Sequence, residues 1–191
     1  MKQAKLLSTQ EFKRVLAVID AHRYSARNKA IFHLSFLGGM RAIEIASLKF
    51  SDVVDENYKV KTQIILTANM TKGSARNRVI VSTKLQKALK RYVDAVRALK
   101  PLNAPFITSQ KGGHFSPLTI VQLFAKFYEK AGIYGASSHS GRRNFVTSLC
   151  SNQINLRVVQ ILARHSSVNT TMLYADFDDF KLQKAVEAAS I

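Results

Sequence analysis

Acidic residues are scarce in this chain: 12 Asp and Glu stand against 29 Lys and Arg, a formal charge of +17 over 191 residues. That imbalance makes a polyanion the expected partner, nucleic acid first among them. A single cysteine, Cys150, excludes an internal disulfide framework and a cysteine-rich zinc site, and fits a reducing, cytoplasmic compartment. Lying in Phe145-Val-Thr-Ser-Leu-Cys150, it reads as a small buried apolar residue rather than a nucleophile. No apolar run approaches the roughly 18 residues that would span a bilayer, and Met1-Lys-Gln-Ala-Lys5 lacks a signal core. Neither HExxH spacing nor a Walker-type glycine loop occurs, so a zinc hydrolase and a nucleoside triphosphatase find no support, and no metal or cofactor is called for. Repeats and low-complexity tracts are missing as well.

What is present is enough for one domain, since a chain of this length buries about 70% of its unfolded surface. The charge is uneven. Residues 1–50 hold nine basic and three acidic groups, 51–100 eleven and four, 101–150 five and one, and 151–191 four and four. A basic body with a neutral end suggests that the body grips phosphates while the end contacts protein.

Periodicity predicts a mostly α fold with a small antiparallel β-sheet. Ser8-Thr-Gln-Glu11 has capping-box spacing ahead of Phe12, Val15, Leu16 and Ile19, the pattern of an amphipathic helix. A second helix over 27–37 should stop at Gly38-Gly39, and helicity resumes over 40–48, placing Arg41 and Glu44 one turn apart. Alternating residues over 58–70 and 76–81 predict a hairpin with Lys72 near its turn. A helix then follows Ser82 with Lys84, Lys87, Lys90, Arg91 and Arg97 on its outer face. After a loop over 101–116, Ser116-Pro117 opens a helix that ends at Gly132. Further helices are expected over 138–151, 156–165 and 168–176, with an amphipathic segment beyond Asp179.

Taken singly, the chemically able residues are ambiguous. His139 and Arg142, at i and i+3, can face one pocket or sit on a surface; His165 suits packing as well as function; Tyr174 reads equally as an ordinary aromatic. Together their order is specific. Gly39-Met-Arg41-Ala-Ile-Glu44, Lys72-Gly-Ser followed by Arg78-Val, His139-Ser-Gly-Arg142, and His165-Ser-Ser-Val-Asn-Thr-Thr-Met-Leu-Tyr174 resemble the tyrosine recombinase (phage integrase) family over residues 8–176.

The resemblance implies the catalytic-domain fold of that family and a metal- and ATP-independent enzyme. Such enzymes cut one DNA strand through a 3′-phosphotyrosyl bond and rejoin it to a new partner, giving integration, excision or inversion. It implies Arg41 and Arg142 as the phosphate clamp, Glu44 as support for Arg41, Lys72 as hairpin lysine, His139 and His165 as the two histidines, and Tyr174 as nucleophile. These residue types make chemical sense on their own. Guanidiniums suit the charge that gathers on non-bridging oxygens, a neutral imidazole can accept the phenol proton, and an ammonium can protonate a leaving 5′-oxygen. Arg76, Arg78, Lys84, Lys87, Arg143 and Arg164 are expected to add DNA contacts.

The chain departs from the family pattern in places. Gly141 stands where leucine is usual and is expected to loosen its helix; Ala163-Arg164 replaces Leu-Gly; and Arg143 follows Arg142 directly. Family members usually carry a DNA-clamping domain of about 100 residues before this region. Only seven residues precede Ser8, so the expectation is one catalytic domain over 1–191 without that clamp, either excised or of the short kind similar to fimbrial-switch invertases. The resemblance further implies double-stranded DNA as partner, a homotetramer on DNA with a monomer left open for the free chain, accessory DNA-bending proteins and a nucleoid location. For residues 177–191 it implies a tail exchanged between protomers, beside the open alternative of a terminal helix packed on its own domain. Two alternatives stay open: a DNA-binding protein on this fold that no longer cuts, and a type IB topoisomerase.

Overall fold

The computed structural model describes residues 3–70, 77–109, 112–152 and 154–174, with residues 183, 186 and 187. The chain divides into two packing units, 1–145 and 146–191.

In the first unit, α1 (Thr9–Asp20) begins at the expected capping box: Glu11 N–H donates to Ser8 Oγ at 3.2 Å and Ser8 N–H to Glu11 Oε2 at 3.0 Å. It buries Val15 and Ile19. The next helix, α2 (Ser25–Gly38), is enclosed on most sides, burying Ala30, Ile31, Phe32 and Leu34 fully and the polar Arg27, Asn28 and Ser35 with them. Around it lie α1, α3 (Ala42–Ser47) and α5 (Thr83–Val96). Gly39 ends α2 at φ +59°, a conformation glycine adopts without cost. A Cβ there would meet the Phe145 ring at 2.4 Å, so no larger residue fits.

A short helix not expected from sequence, α4 (Phe50–Val53), is capped by Asp52 Oδ2 accepting from Lys49 N–H at 2.8 Å. It places Phe50 against Phe106 and buried Tyr92, whose hydroxyl donates to the Phe106 carbonyl at 2.8 Å. The hairpin is antiparallel, β1 (Gln63–Leu66) on β2 (Asn77–Ile80), with Ile64 opposite Val79. Ile64, Leu66 and Val79 face the core, while Ile65 and Ile80 are exposed. Its first strand starts later than alternation predicts, because Asp55 Oδ1 accepts from the N–H groups of Asn57 and Lys59, and Tyr58 takes φ +59°.

Ser82 caps α5, and Ser116, where the sequence opens a helix, caps α6 (Pro117–Lys130). α7 (Ser140–Ser151) passes over α2 at Gly141, where a Cβ would lie 2.2 Å from Ser35 Oγ and 2.8 Å from the Phe36 ring. The glycine expected to loosen this helix instead permits its close approach to α2.

The second unit holds the end of α7, then α8 (Leu156–Ala163) and α9 (Val168–Met172), which pack on each other. α8 stops two residues early because Arg164 turns left-handed, with φ +58° and ψ +45°. α9 is shorter than the predicted 168–176. Most of the predicted tail lies outside the described residues; Gln183, Val186 and Glu187 are helical, and Gln183 Nε2 donates to Glu187 Oε1 at 3.2 Å.

Candidate nucleic-acid active site

In the first unit the site grows from the turn that ends α2. Arg41 is the N-cap of α3 and Glu44 lies in its first turn. The fully buried Glu44 carboxylate receives both the Arg41 N–H, at 2.9 Å to Oε2, and Arg41 Nη1, at 2.8 Å to Oε1. One carboxylate therefore caps the helix and orients a guanidinium whose side chain stays a third exposed. Held by Glu44, that guanidinium is suited to bind an oxyanion in a fixed direction.

Arg142, on the first turn of α7, is 8% exposed and sends Nη1 to the Gly39 carbonyl at 2.8 Å. The acceptor sits two residues before Arg41. Gly39 was legible in the sequence only as a helix stop, and its carbonyl partner lies 103 positions away. His139 is exposed in the turn just before α7, not within the helix, and its backbone N–H donates to Ser137 Oγ at 3.2 Å. Ser137 and Ser140 close this turn reciprocally, Ser140 N–H to Ser137 O at 2.9 Å and Ser137 N–H to Ser140 Oγ at 3.0 Å.

In the second unit, His165 Nδ1 lies 2.9 Å from the hydroxyl oxygen of Thr171, which is fully buried. The His165 carbonyl accepts from Gln160 Nε2 at 3.2 Å, so its backbone is held too. Tyr174 lies in the turn after α9, its N–H donating to Thr171 O at 3.0 Å, and its ring stacks on His165 with centroids 6.0 Å apart. Thr171, which sequence reading passed over, thus holds the imidazole by its side chain and Tyr174 by its backbone. Its sole sequence signal is a position inside the His165–Tyr174 interval.

The expected hairpin lysine, Lys72, and the expected DNA contact Arg76 lie outside the described residues. Arg78, Lys84 and Lys87 are exposed. Arg143 and Arg164 have other partners: Arg143 Nη1 donates to the Ala4 carbonyl, and Arg164, 8% exposed, donates from Nη1 to the Leu162 carbonyl at 3.0 Å. Burial pushes the Cys150 thiol up, which disfavours the thiolate a nucleophile would need. Among the described residues no group of three or more His, Cys, Asp or Glu side chains could hold a metal, and no helix is long and apolar enough to cross a membrane.

Comparison with known proteins agrees with this architecture. The chain is 27% identical over 191 residues to tyrosine recombinase XerA of Pyrococcus horikoshii, a match covering 98% of this chain and 62% of the relative. It is 26% identical to tyrosine recombinase XerD of Rickettsia bellii, covering 97% and 64% respectively. The chain therefore spans less than two thirds of the length of these relatives. Among solved structures, the XerA recombinase crystal structure superposes with a TM-score of 0.77 at 27% identity, covering all of this chain and 67% of that one. The fold is also that of the Tn1549 transposon integrase solved with circular intermediate DNA, at a TM-score of 0.78, 19% identity, and coverage of 100% and 68%. The profile of the phage integrase family matches residues 5–180, and this chain belongs to that family.

Proposed function

We propose that this chain is the catalytic part of a site-specific DNA recombinase that cleaves and rejoins strands through a 3′-phosphotyrosyl intermediate. The observation that carries the reading is the bond from Arg142 to the Gly39 carbonyl, which ties one candidate phosphate ligand to the turn bearing the other, Arg41 with its buried Glu44. Two anchored guanidiniums supply what phosphoryl transfer needs most, fixed positive charge where negative charge develops. Tyr174 Oη attacks phosphorus in line, the bond to the 5′-oxygen breaks, His139 receives the phenol proton, Lys72 protonates the leaving oxygen, and His165 donates to the phosphate. A 5′-hydroxyl of the partner strand then reverses the sequence and releases Tyr174. Arg76, Arg78, Lys84 and Lys87 add backbone contacts, and residues 177–191 link protomers into a tetramer on two duplexes in the bacterial or phage nucleoid, aided by DNA-bending proteins.

The test begins with duplexes selected by binding from a random library, each rebuilt with a nick just beyond the scissile phosphate so that cleavage traps the covalent adduct. Wild-type protein should form a 3′-linked adduct on a denaturing gel, and Tyr174→Phe should not. Binding without any adduct would establish the non-cutting alternative, and relaxation of supercoiled plasmid by single protomers would establish the topoisomerase.

A further inference from the structure

Residues 3–7 run ahead of α1 without regular structure, yet two bonds secure them on either side of the segment that carries His139 and Arg142. Lys5 N–H donates to the Gly135 carbonyl at 3.0 Å, four residues before His139. The Ala4 carbonyl receives Arg143 Nη1, one residue after Arg142. Consecutive residues of the strap thus bracket residues 136–142. Between them lies a recess lined by Gln3, Lys5, Tyr134, Ser137 and His139.

Arg143 also differs from a phosphate ligand in its setting. Its Nε is buried and has no acceptor among the described residues, while its Nη1 is spent on a backbone carbonyl. Arg142 points instead to Gly39, so the two adjacent arginines divide their work between the α2 turn and the strap.

We infer that Arg143 is a positioning residue: through the Ala4 carbonyl, and together with the Lys5–Gly135 bond, it holds the His139–Arg142 turn in the geometry used for strand cleavage. Cutting either tether leaves Arg142 bonded to the Gly39 carbonyl but lets the His139 segment wander, and sub-ångström to ångström displacements of a reacting group cost rate far more than affinity. The inference rests on the reading of His139 and Arg142 as catalytic, and its first test does not depend on DNA.

That test follows the His139 ring resonance by NMR through a pH titration in the full chain, the signal identified by its loss in His139→Gln. Arg143→Ala and Lys5→Pro, the latter compared with Lys5→Ala so that loss of the Lys5–Glu11 ion pair cancels, should each move the resonance. Arg143→Lys, which keeps a donor for the carbonyl, should restore it in part. Thermal melts identify any variant that fails to fold, and the two tethers are cut independently so that one such failure leaves the other informative. On the trapping substrate at saturating DNA, Arg143→Ala and Lys5→Pro should slow adduct formation about tenfold or more with Kd within about twofold. An unchanged His139 signal in both variants overturns the inference. So does an Arg143→Ala protein that binds more weakly, with a shallower salt slope, yet cleaves at the wild-type rate once saturated, because that is the behaviour of a phosphate ligand. If wild-type protein forms no adduct while the His139 signal still responds to both tethers, the functional reading has failed and the tether stands.

Discussion

The His165 imidazole and the Tyr174 phenol stack at 23° between ring planes, with Thr171 bonded to both residues. Thr171→Val keeps shape and burial but removes the hydroxyl at His165 Nδ1. The loss of one buried hydrogen bond costs about 1 kcal/mol. We expect adduct formation to slow by about five- to tenfold, with duplex affinity nearly unchanged, in a single-turnover assay on the trapping substrate. A wild-type rate would remove Thr171 from the set that orients His165.

Glu44 serves two donors of Arg41, and this makes it the more informative of the pair. Glu44→Gln should retain one of the two bonds and lose the charge, costing about 1–2 kcal/mol of stability, a figure kept low because the Arg41 side chain is a third exposed to screening water. Arg41→Lys keeps charge near the carboxylate but loses the paired donors, so it should fold and bind DNA while cleaving at least about a hundredfold more slowly. Urea melts and adduct kinetics on the same two proteins separate the effects.

The parts legible in the sequence are those governed by local chemistry. The Ser8–Glu11 box, the Ser82 and Ser116 caps and the Gly39 stop each depend on groups within a turn of one another, and each lies where the pattern put it. The pairing of Arg41 with Glu44 was legible for the same reason, being one helical turn long. What stayed hidden depends on distant partners or on local competition. Nothing near Arg142 announces Gly39, and nothing near Arg143 announces Ala4. The four-residue α4 is an exception, a local Lys49–Asp52 cap that was present in the sequence but not read from it. Arg164 illustrates local competition: the pattern predicted a helix to 165, and the left-handed turn at Arg164 ended it at Ala163.

Gly141 tests whether packing or flexibility fixes that position. If it serves only to loosen α7, Gly141→Ala should stabilise the protein by up to about 1 kcal/mol through helix propensity. The approach to Ser35 and Phe36 predicts the reverse, a destabilisation of about 1–3 kcal/mol from overpacking, seen as a lowered Tm. Ser35→Gly in the same chain should recover part of the loss, since it withdraws the nearest atoms.

At Arg164 two substitutions isolate the backbone. Arg164→Ala and Arg164→Gly both delete the guanidinium and its bond to Leu162 O, but only glycine takes φ +58° without steric cost. The glycine variant should therefore be the more stable of the two by about 1 kcal/mol in chemical denaturation, whatever the side chain itself contributes. Equal stabilities would mean that the turn relaxes once the arginine is gone.

The final prediction concerns pH and the flank where α2 meets α5. His33 sits half-buried on α2 with Nδ1 2.7 Å from the Lys29 carbonyl and with the Phe12 and Phe32 rings beside it edge-on. Desolvation, the largest effect, holds its pKa below the ordinary value of 6.5; the Lys29 carbonyl opposes it, and the cations of Lys29, Lys84 and Arg91 each add a smaller push downward. The folded protein thus keeps the ring neutral where the unfolded chain would take up a proton. As pH falls through 6.5 the unfolded state gains that proton first, so the stability contributed by neutral His33 is full above 6.5 and drains away until the folded form also protonates. We expect the Tm to decline as pH falls through about 6.5, and a His33→Gln variant to show a visibly shallower decline there. Because the three cations face the same ring, neutralising one by Arg91→Gln should move the decline upward in pH toward the unfolded value and shrink it. A His33→Gln protein with the wild-type pH profile would assign the acid sensitivity to another group.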